Sequence, residues 1–441
     1  MVRKDARPPQ AAILARRIAL HRTPDAPPKK GWLASLGPGL ITGASDDDPS
    51  GIATYSQAGA QFGFSMCWVM LFTFPLMAAI QAVSARIGRV TGAGLAANLG
   101  AIMPRWLMLA LVALLWVANT VNIGADLAAM GAAAKLVIGG PALGHTIVFA
   151  VATAALQIFV PYHHYVHLLK WLTISLFAYV AVVFTVQIDW AVVVRATVLP
   201  RFALSGEALT VIVGVFGTTI SPYLFFWQSS EEVEEEQIEP GGGPLLTHPD
   251  QARDQLSRIN LDTYVGMGFS NAIAFFIILT TAVTLHTSGK TDIQTSADAA
   301  EALRPVAGDF AFFLFSLGII GTGLLALPVL AGSAAYAVGE AFGWSTGLER
   351  DAKDAPGFYA VIAGSILAGL VITVLPIDPI VALFWSAVLN GVIAVPIMAA
   401  MMVVASSRSR LGVYVVPGGQ KALGWIATAV MAAAAIGMFV L

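Results

Sequence analysis

The sequence predicts an all-α polytopic membrane protein with eleven transmembrane helices. Of its 441 residues, 57% are hydrophobic and 11% are charged, a composition typical of chains embedded in a bilayer. A helix needs about 20 mostly apolar residues to cross a membrane. Prolines next to polar residues interrupt the first and sixth of the apolar segments. The segments are 34–58, 63–90, 105–135, 145–160, 163–188, 207–237, 257–286, 307–340, 357–375, 378–404 and 422–441.

The distribution of basic residues predicts the orientation of the chain. Residues 1–31 are rich in proline, Lys and Arg, and we expect them to form a disordered, basic cytoplasmic tail. Further basic residues lie between spans 2 and 3, 6 and 7, 8 and 9, and 10 and 11. Because such loops stay in the cytoplasm, the N-terminus is expected inside and, with an odd number of spans, the C-terminus outside. We expect an integral protein of the bacterial inner (plasma) membrane.

Charge and motif content exclude several classes of protein. The 24 basic and 26 acidic side chains nearly cancel, which gives no support to nucleic-acid binding. A single cysteine, Cys67, excludes an internal disulfide framework. No nucleophile–base set, HExxH motif or phosphate-binding glycine loop stands in a credible context. We therefore expect neither an enzyme nor a bound cofactor.

The two interrupted spans are the most informative feature of the chain. The first carries Asp48-Pro49 and the sixth carries Ser221-Pro222. Proline removes a backbone donor and disturbs the helix before it, so nearby carbonyl oxygens lose their partners and become available to a cation. Broken helices at corresponding places of two halves indicate a transporter's substrate site at the bilayer midplane. We therefore predict a metal-ion transporter.

The positions of the breaks also predict the internal organisation. Spans 1 and 6 begin two groups of five helices, so the natural division is a first repeat at residues 32–188 and a second at 205–404, of inverted topology. One additional helix follows at residues 420–441. This arrangement is the LeuT-type architecture.

Three runs of residues in the first three spans form recognisable motifs. They are Asp48-Pro49-Ser50-Gly51-Ile52-Ala53-Thr54 with Gln57-Ala58-Gly59-Ala60, then Ala85-Arg86-Ile87-Gly88-Arg89-Val90-Thr91-Gly92, then Asp126-Leu127-Ala128. These runs resemble the first-, second- and third-helix motifs of the Nramp metal transporters. The resemblance implies a LeuT-type fold and metal transport, and it extends from about residue 31 to the end of the chain.

The chain departs from that family's pattern at five positions. The helix-1 asparagine of family members that carry manganese or iron is Gly51 here, and their helix-6 methionine and histidine are Ser221 and Tyr223. A second helix-6 histidine falls at Gln228, and a span-3 glutamate linked to proton movement falls at Ala129. This pattern is similar to the Nramp-related magnesium transporter branch.

These departures predict the transported ion and the driving force. A thioether favours polarisable metals, so a hydroxyl in its place removes discrimination against hard cations. Mg²⁺ prefers oxygen ligands and keeps several waters, for which smaller side chains leave room. Histidine titrates near neutral pH, and its loss removes the usual parts of a proton relay. We expect a divalent-cation transporter that works by alternating access on Mg²⁺, admits Mn²⁺, and is not coupled to protons.

The candidate site residues fall into two groups. The predicted metal ligands are Asp48, Gly51, Thr218 and Ser221. The predicted vestibule or gate residues are Asp46, Asp47, Asp126, Tyr223, Gln228, Glu231, Glu232 and Asn390.

Structural roles stand beside these functional ones. Asp48 is predicted as a ligand in preference to a helix cap, whereas Asp46 and Asp47 fit capping or packing as well as a vestibule. The hydroxyls of Ser221 and Thr218 have carbonyl groups of their own helix as alternative partners.

The remaining candidates carry similar alternatives. Glu231 and Glu232 belong to an acidic run. This run either attracts cations at the cytoplasmic mouth or forms a solvated helix end. Asn390 fits interhelical hydrogen bonding as well as contact with a hydrated ion. Asp126 is either one member of a structural pair or a water-facing gate residue.

Two other transport functions remain as alternatives. One is proton-coupled Mn²⁺ or Fe²⁺ symport, and the other is sodium-coupled transport of an organic solute by the same fold. The expected partners are a divalent ion and the lipid bilayer, without nucleic acid. The sequence leaves the oligomeric state open.

Overall fold

Helices account for every predicted span. The computed structural model describes residues 38–160, 173–200, 205–239 and 241–441, so the predicted tail at 1–31 lies outside the described residues. Each of the eleven apolar segments coincides with a helix in its described part. Within these ranges eight helical stretches are long and apolar enough to cross a membrane, one of which joins the end of span 1 to span 2, and two shorter apolar helices supply spans 5 and 9.

The helices of the first half follow the predicted order. They are α1 Pro38–Asp46, α2 Pro49–Phe62, α3 Cys67–Thr91, α4 Leu95–Gly100, α5 Arg105–Ile138, α6 Ala142–Phe159, α7 Phe177–Thr185 and α8 Trp190–Val198. Helices α1 and α2 are the two halves of span 1, and α3, α5, α6 and α7 belong to spans 2 to 5.

The second half begins with another divided span. Its helices are α9 Gly206–Thr219, α10 Pro222–Ile238, α11 Ala252–Thr281, α12 Ser296–Ala300, α13 Arg304–Ala307, α14 Ala311–Phe342, α15 Pro356–Ile372, α16 Pro379–Ser406, α17 Arg408–Leu411 and α18 Gly418–Val440. Helices α9 and α10 divide span 6, and α18 is the additional helix. The exact repeat boundaries, 32–188 and 205–404, stay a prediction.

Both predicted helix breaks are present, and each has the same local cause. Pro49 and Pro222 occupy the first turn of α2 and α10, where the missing N–H has no intrahelical role. The residues before them, Asp48 and Ser221, are extended, with φ/ψ of −71°/172° and −74°/132°. The chain therefore leaves one half-helix, runs extended for one or two residues, and starts the next half-helix.

The divided spans lie at the centre of the helix bundle. In the most apolar window of the α9–α10 stretch, 94% of residues are buried, against 22% in α6 and 33% in α18. Every residue from Pro49 to Ser56 in α2 is buried as well. Helices α6 and α18 therefore face lipid, and both breaks lie in the protein interior.

Glycines allow close contact between the half-helices and their neighbours. A Cβ atom at Gly43 of α1 would lie 2.3 Å from the carbonyl of Gly266 in α11. A Cβ atom at Gly217 of α9 would lie 1.9 Å from the carbonyl oxygen of Ala387 in α16. Small residues let membrane helices approach until their backbones touch. The resulting van der Waals packing stabilises the helix pair, because lipid provides no hydrophobic driving force for association.

We predict that Gly43→Ala destabilises the protein, because the added methyl group and the Gly266 backbone occupy the same space. Overpacking of this kind costs about 1–3 kcal/mol. The melting temperature in detergent, measured by fluorescence-detected size-exclusion chromatography, should fall. Gly364→Ala on α15 is the matched control, since an added Cβ there meets nothing within 4 Å. Equal melting temperatures for the two variants would contradict the close α1–α11 packing.

Candidate functional site at the helix breaks

Asp48 is buried between the two halves of span 1, with 1% of its surface exposed. Its Oδ1 accepts hydrogen bonds from Ser50 Oγ at 2.6 Å and from the backbone N–H of Gly51 at 2.8 Å. Oδ1 thus caps α2, which is the structural role that the sequence analysis set beside the ligand role. The second oxygen, Oδ2, points away from the cap and accepts from Asn122 Nδ2 at 3.0 Å.

Asn122 and Ser386 are site residues that the sequence analysis missed. Asn122 on α5 is fully buried, and its Oδ1 accepts from Ser386 Oγ of α16 at 2.7 Å. A chain of hydrogen bonds therefore joins span 1, span 3 and span 10 at Asp48. In the sequence, Asn122 is recognisable as a polar residue within an apolar span, one turn before Asp126.

The second break supplies backbone oxygens. Ser221 Oγ donates to the carbonyl oxygens of Gly217 at 2.6 Å and Thr218 at 2.8 Å. Its hydroxyl thus bonds back into its own helix, the alternative noted from the sequence, and it satisfies carbonyl groups that the break leaves without a helical partner.

The two breaks lie against each other. A Cβ atom at Gly51 would be 3.1 Å from Thr218 Oγ1, and Tyr223 Oη donates to the carbonyl oxygen of Ser45 at 3.2 Å. The structure therefore brings three of the predicted ligands, Asp48, Gly51 and Thr218, into one region with the predicted gate residue Tyr223.

Asp46 and Asp47 turn toward α11. Ser270 Oγ lies 2.5 Å from Asp46 Oδ2 and 3.1 Å from Asp47 Oδ1, and both carboxylates are buried. Each has a second oxygen without a protein hydrogen-bond partner in the described part of the chain. The structure therefore places them at the packing surface between α1 and α11 and next to the break.

Asp126 and Asn390 extend the polar region in opposite directions. Asp126 lies one turn after Asn122 on α5, and Asn390 lies one turn after Ser386 on α16. Both are buried, and their side-chain oxygen and nitrogen atoms have no partner among the described residues. Buried polar groups of this kind call for water or an ion. Because spans 3 and 10 cross the membrane in opposite directions, these groups lie on opposite sides of the Asn122–Ser386 pair.

The predicted gate residues further along α10, Gln228 and Glu231, contact three neighbouring helices. Gln228 accepts from Gln81 Nε2 at 2.6 Å and donates to Thr263 Oγ1 at 2.9 Å. Glu231 lies close to Tyr336 Oη, at 3.5 Å. These side chains link α10 to α3, α11 and α14.

Glu232 takes part in an ion-pair network that we name the clasp, formed by Glu232, Glu235, Arg258, Asp262 and the backbone of Gly39. Arg258 donates to Glu232 at 2.6 Å and lies 3.2 Å from Glu235 and 4.0 Å from Asp262. Asp262 Oδ2 accepts from the N–H of Gly39, at the start of α1, at 2.7 Å. The clasp therefore fixes α1 to α10 and α11 at the end remote from Asp48.

The donor set at the breaks is not a cage of acidic and imidazole ligands. Across residues 38–160, 173–200, 205–239 and 241–441, no three His, Cys, Asp or Glu side chains converge as a metal site. A cation beside Asp48 would meet its Oδ2, together with carbonyl, hydroxyl and amide groups of the two breaks. Such a set suits a partly hydrated ion.

The family follows from a comparison over nearly the whole chain. The model of the family described as natural resistance-associated macrophage protein-like, Nramp, matches residues 39–441. This chain belongs to the Nramp family. The resemblance inferred from the first three spans is thereby confirmed, and with it the integral membrane class.

Curated relatives of this Nramp chain have modest sequence identity. A protein of Verminephrobacter eiseniae named divalent metal cation transporter MntH is 28% identical over 370 residues, covering 80% of this chain and 81% of the relative. A protein of the same name from Klebsiella pneumoniae is 25% identical over 417 residues, covering 91% and 93%.

Solved structures confirm the predicted fold. A manganese transporter of Eremococcus coleocola, in complex with an aromatic bis-isothiourea compound, is similar with a TM-score of 0.73 and 14% identity, covering 94% of this chain and 88% of that one. Mhp1, a nucleobase-cation-symport-1 family transporter, is similar with a TM-score of 0.57 and 13% identity, covering 92% and 91%. The LeuT-type architecture predicted from the two broken spans is correct.

We predict that Arg258→Met strongly destabilises this Nramp protein, because Glu232 is fully buried and would lose its counter-charge. Removal of one partner of a buried ion pair costs about 3–5 kcal/mol. The melting temperature in detergent should fall, and the added substitution Glu232→Gln should restore part of the loss. Arg253→Met, at an exposed position of α11, is the control. No recovery in the double variant would mean that the clasp does not depend on this pair.

Proposed function

We propose that this protein transports divalent metal cations by alternating access, favours Mg²⁺, admits Mn²⁺, and works without proton coupling. The observation that carries the proposal is Asp48, a buried carboxylate at the meeting point of two broken helices. An ionisable group within a membrane is expensive unless a cation, water or donors accompany it. The curated relatives are named divalent metal cation transporters, and the similar solved structure is named a manganese transporter.

The chemistry of the surrounding groups supports a hard cation. The carbonyl oxygens of Gly217 and Thr218 and the hydroxyl of Ser221 lie together at the second break. In the family pattern, Ser221 replaces a methionine sulfur. Oxygen donors suit Mg²⁺ and are compatible with Mn²⁺, whereas a thioether selects softer metals. Replacing that thioether with a hydroxyl therefore favours magnesium.

The histidines support uncoupled transport. In the described parts of the chain, the histidine hydrogen bonds run to Gly139, Thr247 and Ala60, none of which belongs to a break. At the family's second helix-6 histidine position, Gln228 is an amide that does not titrate. The membrane potential suffices as a driving force, since 100 mV supplies about 4.6 kcal/mol for a divalent ion.

The arrangement of α1 supports alternating access. The clasp fixes the start of α1, and the Gly43–Gly266 contact fixes its middle. With the N-terminus in the cytoplasm, as the basic residues predict, these contacts hold α1 against α10 and α11 on the cytoplasmic side. Release of α1 from α10 and α11 would open a path from Asp48 to the cell interior.

One observation keeps proton-coupled Mn²⁺ transport as a second candidate. Asp126 is buried with both carboxylate oxygens unpartnered in the described residues, one turn from Asn122. A carboxylate in this setting is able to carry a proton across part of the membrane. Acidification measurements separate the two candidates.

We expect purified protein in liposomes to take up Mg²⁺ and Mn²⁺ when the interior is negative. Fluorescent indicators for each ion measure the two rates under the same potential. Asp48→Ala should lower uptake of both ions at least tenfold, because it removes the carboxylate that caps α2 and faces Asn122. Asn119→Ala controls for loss of a buried polar side chain on α5. Mn²⁺ uptake without Mg²⁺ uptake would remove the magnesium assignment.

Proton flux is a separate prediction. In the same liposomes, loaded with a pH-sensitive dye, we expect metal uptake at unchanged internal pH, because the usual histidine relay is replaced. The uptake rate should also stay constant when only the external pH is lowered. Acidification in proportion to metal influx, abolished by Asp126→Asn, would establish the proton-coupled alternative.

A further inference from the structure

The side chain of Asn122 contacts the carboxylate to which the proposed function assigns the transported ion. It is fully buried on α5, and its Nδ2 donates to Asp48 Oδ2 at 3.0 Å. Asp48 Oδ1 already accepts two hydrogen bonds that begin α2. Because loss of those bonds would undo the helix cap, Oδ2 is the oxygen that a cation takes. The cation therefore competes with the amide N–H₂ of Asn122.

Ser386 provides for a second orientation of this amide. Its hydroxyl lies 2.7 Å from Asn122 Oδ1 and 2.8 Å from the carbonyl oxygen of Leu383. With Nδ2 toward Asp48, the Ser386 hydroxyl donates to Oδ1. If the amide turns by half a rotation, Nδ2 donates to Ser386 Oγ, whose own hydrogen then goes to Leu383. The second orientation turns Oδ1 toward Asp48 Oδ2, and two oxygens facing each other there need a cation between them.

The Asn122 amide oxygen, turned toward Asp48, would replace the amide oxygen of the family's helix-1 asparagine, which this chain lacks. The helix-1 position that is asparagine in the manganese and iron members of the family is Gly51 here, and a Cβ added there would meet Thr218 Oγ1 and the Tyr55 ring at 3.1 Å. A side chain at position 51 therefore has little room. The carboxamide of Asn122 reaches Asp48 from α5 instead.

We propose that Asn122 is an oxygen ligand for the transported divalent cation, and that its amide turns from donor to ligand when the ion binds Asp48. This inference rests on the proposed function. In the ion-free state the amide donates a hydrogen bond to Asp48 Oδ2. In the ion-bound state Oδ1 coordinates the ion, and Ser386 holds the amide through Nδ2. Ion occupancy thereby changes the hydrogen bonds between α5 and α16.

The test is calorimetric titration of Mg²⁺ and Mn²⁺ into purified protein. Asn122→Leu removes the oxygen at similar volume, and we expect it to weaken Mg²⁺ binding at least tenfold, or about 1.4 kcal/mol. Asn122→Asp keeps an oxygen and loses the donor, so it should bind Mg²⁺ at least as tightly as the wild type and transport it more slowly. Ser386→Ala should weaken binding by a smaller factor than Asn122→Leu.

Asn119→Leu is the matched control, since Asn119 is equally buried on α5 and bonds to Leu330 and Ser333 of α14. Its affinity should equal that of the wild type. If Asn122→Leu and Asn122→Asp weaken Mg²⁺ binding equally, Asn122 only positions Asp48. If Asn122→Leu leaves the Mg²⁺ affinity unchanged, Asn122 has no role in binding. Either result would overturn the inference. If Asn122→Leu does not fold, Asn122→Ala replaces it in the same comparison. Absence of divalent binding in the wild type overturns the proposed function instead.

Discussion

The structure depends on one constraint: an interrupted helix inside a membrane has to satisfy the backbone groups that the interruption frees. Lipid offers no hydrogen bonds, so these groups need partners from the protein, from water or from an ion. Asp48 supplies an acceptor for the first turn of α2, and Ser221 supplies a donor for the last turn of α9. The breaks are stable because short polar side chains stand beside each proline.

The same constraint explains why the fold and the candidate site occupy one place. A carboxylate that caps a helix with one oxygen presents the other oxygen to whatever faces the break. Carbonyl groups without helical partners are likewise acceptors for a hydroxyl, a water or a cation. The atoms that stabilise the broken spans are therefore the same atoms to which the proposed function assigns recognition of an ion.

Hydropathy and proline placement predicted the spans and both breaks because these features depend on local composition. The partners across the bundle were not predictable in this way. Asn122 and Ser386 are 264 residues apart in sequence, and nothing in either segment indicates the other. The direction of Asp46 and Asp47 was left open for the same reason, since the position of Ser270 on α11 decides it. The salt bridge of Glu232 likewise requires knowledge of where α11 lies.

The contact between α1 and α11 has a consequence for movement. At Gly43 the backbone of the nine-residue α1 meets the Gly266 backbone of α11 with no side chain between them, so a tilt of α1 would separate backbone from backbone at that point. The same tilt would also break the polar contacts at the two ends of α1, from Gly39 to Asp262 and from Ser270 to Asp46. Movement of α1 relative to α11 would thus require a few identifiable hydrogen bonds to break together, rather than a gradual bending of the helix.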